Sequence, residues 1–171
     1  MSTKIAATST DWTILAAVKT ALTGAVNGDS VAWFKAITIA TTPEQAEQCQ
    51  RKGDQPSVTV LWSASDERPG PEGIVCCVMT LSLQIRDKKD SGVDETLKTQ
   101  RLFDLKNVAF NAIESAKSAL ITAGAKGFGW PDEYHDYFSW GDIEFVEEGP
   151  PWIGCNIPLE LAYHLTSHTA H

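Results

Sequence analysis

The chain has 171 residues, 43% hydrophobic and 21% charged, with a net charge of −8 at pH 7. This length holds one well-buried core and leaves no room for a second domain of ordinary size, so one domain over residues 1–171 is expected, with flexible ends at 1–9 and 166–171. The acidic balance argues against nucleic-acid binding by phosphate neutralisation, and no stretch is apolar enough to span a bilayer.

The N-terminal residues lack the apolar core of a secretory signal, which predicts synthesis and folding in the cytosol. Residues 11–26 place Trp12, Leu15, Val18, Leu22 and Val26 three or four apart, the spacing of an amphipathic helix, with Asn27-Gly28 to stop it. Residues 31–40 are rich in β-branched and aromatic types and predict a strand. Thr42-Pro43-Glu44-Gln45 then resembles a capping box with proline at the first helical position, opening a short helix that ends near Gly53.

Two more strands are predicted over 57–63 and 74–86, joined by a proline- and glycine-containing connection at 64–73. In the second, Val75, Cys77, Met79, Leu81, Leu83 and Ile85 form one apolar row, so one sheet face is buried along its length. A polar tip at 87–92 leads to a long helix over 94–123, striped by Leu102, Leu105, Ala109, Ala112, Ile113, Ala116 and Leu120 and ended by Gly124. A glycine- and aromatic-rich loop covers 125–137, a strand 138–147 and a turn 148–151.

The closing strand, 153–165, alternates cleanly: Ile153, Cys155, Ile157, Leu159, Leu161, Tyr163 and Leu165 face one way, and smaller or polar residues, Glu160 among them, face the other. Pro158 lacks an N–H, which predicts an edge position or a bulge for this strand. Few helices and several alternating strands predict a two-layer α+β domain, with both long helices on one face of a mainly antiparallel sheet.

Chemistry is sparse. Cys49, Cys76, Cys77 and Cys155 form no Cys-x-x-Cys pair, and the chain has no phosphate-loop, dinucleotide, nucleophile-elbow or His-Glu-x-x-His motif, so no cofactor is expected. Asp132, Glu133, His135 and Asp136 read best as a solvated acidic loop, and His164, His168 and His171 could bind a metal on purification resin but are not expected to form a biological metal site. Lys88, Lys89, Lys98, Arg101 and Lys106 are interleaved with Asp87, Asp90, Asp94, Glu95 and Asp104. They describe a mixed-charge helix face that either faces solvent or bridges copies in a ring.

The aromatic group Phe128, Trp130, Tyr134, Tyr137, Phe138 and Trp140 fits a ligand pocket, a loop folded onto the core or a partner anchor, of which the last is favoured. The residues expected to contact partners are Trp130, Tyr134, Tyr137, Trp152 and Glu160. No residue is expected to be catalytic or to bind metal. The alternatives are a small enzyme or ligand-binding domain using the 125–137 loop, and a cytosolic adaptor docking through the edge strand.

An N-terminal amphipathic helix, a strand with a short linker, a strand pair with a long connection, an alanine-rich helix at 97–123 and the final Trp152-Ile-Gly-Cys-Asn-Ile-Pro-Leu-Glu-Leu-Ala-Tyr strand together resemble the tail terminator and related neck proteins of tailed bacteriophages. The resemblance lies in element order over most of the chain and rests on no diagnostic motif. It implies a structural virion protein forming a ring, usually of six copies, at the head-proximal end of the tail. Such a ring caps the tail tube and joins it to the head connector or stopper, and DNA passes through its lumen without specific binding. The connections at 64–73 and 125–137 are longer than in the smaller members of that family, which leaves a collar component or another neck adaptor as the alternative to a terminator.

Overall fold

The computed structural model of the chain describes residues 10–69, 75–88, 94–116, 120, 138–146, 148–149 and 152–165. The elements in order are α1 (Thr10–Thr23), β1 (Ala36–Ala40), α2 (Pro43–Lys52), β2 (Ser57–Pro69), β3 (Val75–Lys88), α3 (Glu95–Ser115), β4 (Phe138–Trp140), β5 (Glu144–Val146) and β6 (Trp152–Leu165). They form one six-stranded sheet and three helices, an α+β arrangement.

The sheet order is β1-β2-β3-β6-β4, with β5 also pairing β6. β3 and β6 are antiparallel over their whole lengths, from Val75↔Leu165 to Lys88↔Trp152, and form its centre. β1 and β2 run parallel because α2 carries the chain back between them, and the other pairings are antiparallel. The alternating rows predicted from sequence set the register. Met79↔Leu161, Leu81↔Leu159, Leu83↔Ile157 and Ile85↔Cys155 lie opposite one another, all buried on one face.

Both α1 and α3 close that face. Ile14, Leu15, Val18 and Leu22 of α1 and Leu102, Leu105, Ala109 and Ile113 of α3 join Val58 and Val60 of β2 and the β3–β6 rows in one apolar cluster. Each large aliphatic side chain buried there contributes about 1.5–3 kcal/mol of transfer free energy. On the other face α2 lies over β1 and β2, where Ala46 packs with Ala40 and Leu61. Its start is as the sequence predicts. Thr42 caps by accepting from the Gln45 N–H at 3.2 Å, Pro43 begins the helix, and the Gln45 amide oxygen accepts from the Thr41 N–H at 3.0 Å.

Several expectations are corrected. The buried stripe of α1 runs through Ile14 rather than Trp12, which is 53% exposed, and Val26 lies beyond the helix, also exposed. The predicted strand at 31–40 is confined to Ala36–Ala40. Asn27 wins the preceding residues for a turn: its side-chain oxygen accepts from the N–H groups of Asp29 and Val31, and Trp33 N–H returns to Ala25 O.

β2 continues to Pro69 past an irregularity between Trp62 and Ala64, into what reads as connection. α3 is described as helix to Ser115, with Leu120 also in the core, and Gly124 lies outside the described residues. The single strand expected at 138–147 is two short strands, β4 and β5.

The break between β4 and β5 explains Pro158. β6 is not an edge strand, since β3 flanks it on one side and β4 and β5 on the other. Gly141 N–H donates to Pro158 O at 2.9 Å, and a strand residue directs its N–H and C=O toward the same neighbour. The N–H that proline lacks would therefore point into the gap between β4 and β5, where no ladder bond is lost.

Candidate functional site

Of the five residues expected to contact partners, Trp130, Tyr134 and Tyr137 lie outside the described residues. Glu160 is exposed on the sheet face opposite the core, paired in register with Thr80 on one side and Ser139 on the other. Trp152 begins β6 opposite Lys88, whose ammonium lies 5.8 Å from its ring centroid. The chain reverses just before it, with Trp152 N–H bonded to Gly149 O at 3.0 Å and Gly149 at φ 76°, the left-handed conformation glycine adopts without strain. Trp152 opens β6 and Glu160 lies past its middle, and the structure does not bring them together.

Trp152 forms a wall shared by two hollows on opposite sides of β6. The first, about 580 Å³, lies between the N-terminal half of α3 and β5, and Lys98, Leu102, Phe103, Phe145 and Ile153 line it with Trp152. Phe103 and Phe145 are 44% and 48% exposed, and their rings pack tilted at 43° with centroids 5.3 Å apart. Lys106 lies over Phe103 at 5.2 Å, and Leu97 and Ile143 are exposed as well. α3 thus carries two apolar sets: the 102-105-109-113 row enters the core, and Phe103, one residue off that row, points outward onto β5.

The second hollow, about 640 Å³, lies under α2 and is polar. Its lining includes Glu47, Gln50 and Arg51 of α2, Gln84 and Arg86 of β3, Glu148 and Trp152. Arg86 is only 5% exposed. Its Nε donates to Glu148 at 2.9 Å, and its Nη1 donates to Ile85 O at 2.8 Å and to the Asn156 side-chain oxygen at 3.0 Å. Room for this side chain comes from Gly154, its cross-strand partner: a Cβ there would come within 2.6 Å of Arg86 Cδ. Gln50 Nε2 donates to Gln84 Oε1 at 2.7 Å, tying α2 to the sheet.

The basic residues around α3 are engaged within the chain. Lys98, nearly buried, donates to Glu95 at 2.7 Å, and Arg101 contacts Asp87 at 3.4 Å while lying 5.2 Å from the Trp33 ring centroid. Lys89 lies outside the described residues, as do Asp132, Glu133, His135, Asp136, His168 and His171. Burial pushes the Cys155 thiol up to about 11, against the opposing influence of Arg86 and Lys106, so it stays a protonated, unreactive thiol at neutral pH. No group of three or more His, Cys, Asp or Glu is placed to hold a metal among the described residues. No described helix is long and apolar enough to cross a membrane.

Sequence reading missed Phe103, Phe145, Arg86 and Gly154. Phe103 is hidden in a helix whose strongest row is core, and Phe145 in a strand too short to show a period. The available signal for Arg86 was a charged residue closing an apolar strand, with a glycine in the strand that pairs with it. In comparisons with known proteins, no protein-family model matches the chain and no curated protein aligns with it significantly.

Proposed function

We propose that the chain is a structural virion protein of tailed bacteriophages, a tail terminator that forms a ring of six copies at the head-proximal end of the tail. The ring caps the tail tube, joins it to the head connector or stopper protein, and lets DNA pass through its lumen without specific binding. The role is non-enzymatic and needs no cofactor. The protein assembles in the host cytoplasm and resides in the virion neck.

The observation that carries this proposal is the aromatic seam of Phe103 and Phe145 beside Trp152, left open at one rim of a domain whose core is otherwise closed by α1 and α3. Exposed apolar surface framed by charged side chains is the mark of a protein contact, and aromatic side chains supply most of the energy at such contacts. In a ring each subunit presents one patch to a different patch on the next, so a seam at one rim of the domain suits a head-to-tail contact. The reading rests further on the resemblance drawn from sequence, and a lumen built from chains at net charge −8 repels DNA and keeps its passage free of adhesion.

The test is assembly. Purified protein is mixed with the tail-tube protein of the same phage and imaged by electron microscopy. Sixfold rings that stop tube growth at one end support the assignment, and tubes that grow to indefinite length with the protein unbound contradict it.

A further inference from the structure

The polar hollow under α2 is not explained by a contact between copies at the aromatic seam, which lies on the other side of β6. Its floor is the Arg86 guanidinium, buried and held rigidly by Glu148, Ile85 O and Asn156. Those bonds use Nε and Nη1, and Nη2 has no acceptor among the described residues. A buried donor left unpaired costs on the order of 1–3 kcal/mol, so an acceptor that enters the hollow gains by pairing with this group.

Two further donors line the same space. Gln84 accepts from Gln50 through Oε1, which leaves its own amide N–H groups without an acceptor among the described residues. Arg51, on the exposed side of α2, forms the outer wall and is held by Glu47 one helical turn back. Trp152 adds a flat apolar wall.

We infer that this hollow is a carboxylate-binding site, in which Arg86 Nη2 and the Gln84 amide donate to the carboxylate oxygens and Arg51 closes over them from α2. Gln84 and Arg86 are two residues apart on β3 and line the same hollow, and the guanidinium is already held in position, so little ordering is lost when an anion binds there. Glu148, 40% exposed at its side chain, already occupies Nε in the manner expected of an incoming carboxylate. The incoming group takes the adjacent Nη2 and competes electrostatically with two resident carboxylates, Glu148 on Arg86 and Glu47 on Arg51.

The ligand carboxylate comes either from a small free acid or from an acidic side chain of another polypeptide. The experiment titrates the full-length protein with succinate, and in a second arm with a blocked Gly-Glu-Gly peptide, against sodium chloride at matched ionic strength. Binding is followed by NMR at the Arg86 side-chain Nε–H and the Gln84 side-chain amide. The expected result is saturable shifts at both groups with at least one of the probes, at concentrations no higher than the order of tens of millimolar.

Arg51→Ala and Gln84→Leu should each weaken binding about tenfold, and Glu148→Gln, which removes the competing charge, should strengthen it. Saturation by succinate alone assigns a small-acid ligand, and saturation by the peptide assigns a side chain. No saturable shift with either probe overturns the inference, as does binding unchanged in both Arg51→Ala and Gln84→Leu proteins that retain wild-type circular dichroism.

Discussion

Gly154 and Arg86 face each other across the β3–β6 pair, and a methyl group on Gly154 would meet Arg86 Cδ at 2.6 Å and Ile85 O at 2.9 Å. The second of these is backbone and does not yield easily. Gly154→Ala should therefore destabilise the protein by about 1–3 kcal/mol in a urea titration, although it adds only one carbon. Leu159→Asp or Leu161→Asp places a carboxylate among Leu81, Met79 and the α3 side chains and should abolish the folded circular dichroism spectrum. Glu160→Lys, between them in sequence but on the exposed face, should leave that spectrum unchanged.

Cys155 gives a pH signature. Its thiol rises from 9.0 to about 11 through burial, so between those values the folded state holds a proton that the unfolded state has released. The resulting stability is complete below pH 9 and is lost as pH rises toward 11. The denaturation midpoint should fall over that window in the wild type and fall less in Cys155→Ala, and a thiol reagent at pH 8 should modify Cys155 only after unfolding.

At the scale of elements, α2 is the piece most plainly written in the sequence. Thr42-Pro43-Glu44-Gln45 specifies its first turn, and Thr42→Ala, which removes the oxygen that accepts from Gln45 N–H, should cost about 1 kcal/mol. The β3 and β6 rows were equally legible, because residues buried on one side and open on the other repeat every second position.

Tertiary partners decided the elements that were less legible. Val31 has strand propensity but lies in a turn that the Asn27 side chain organises. Pro158 predicted an edge or a bulge and sits instead inside the sheet in unbroken register with β3, because the neighbouring strand pair has a gap at Gly141. That gap also needs Gly141 itself, whose Cβ would approach Pro158 Cβ to 2.9 Å. The two hollows beside Trp152 were not legible at all, since each is assembled from residues distant in the chain: α3 with β5, and α2 with β3.

For the whole molecule, the proposal is that a closed core and an open aromatic seam divide the work of folding from the work of assembly. Phe103→Glu and Phe145→Glu replace exposed rings, so the monomer should keep its melting temperature within a few degrees while losing association. Native mass spectrometry of the purified wild-type protein at micromolar concentration, alongside Phe103→Glu, tests this division most directly. The account predicts six-chain particles for the wild type and folded monomers for the variant. Wild-type protein that is monomeric, or a variant that forms the same six-chain particles, would contradict it.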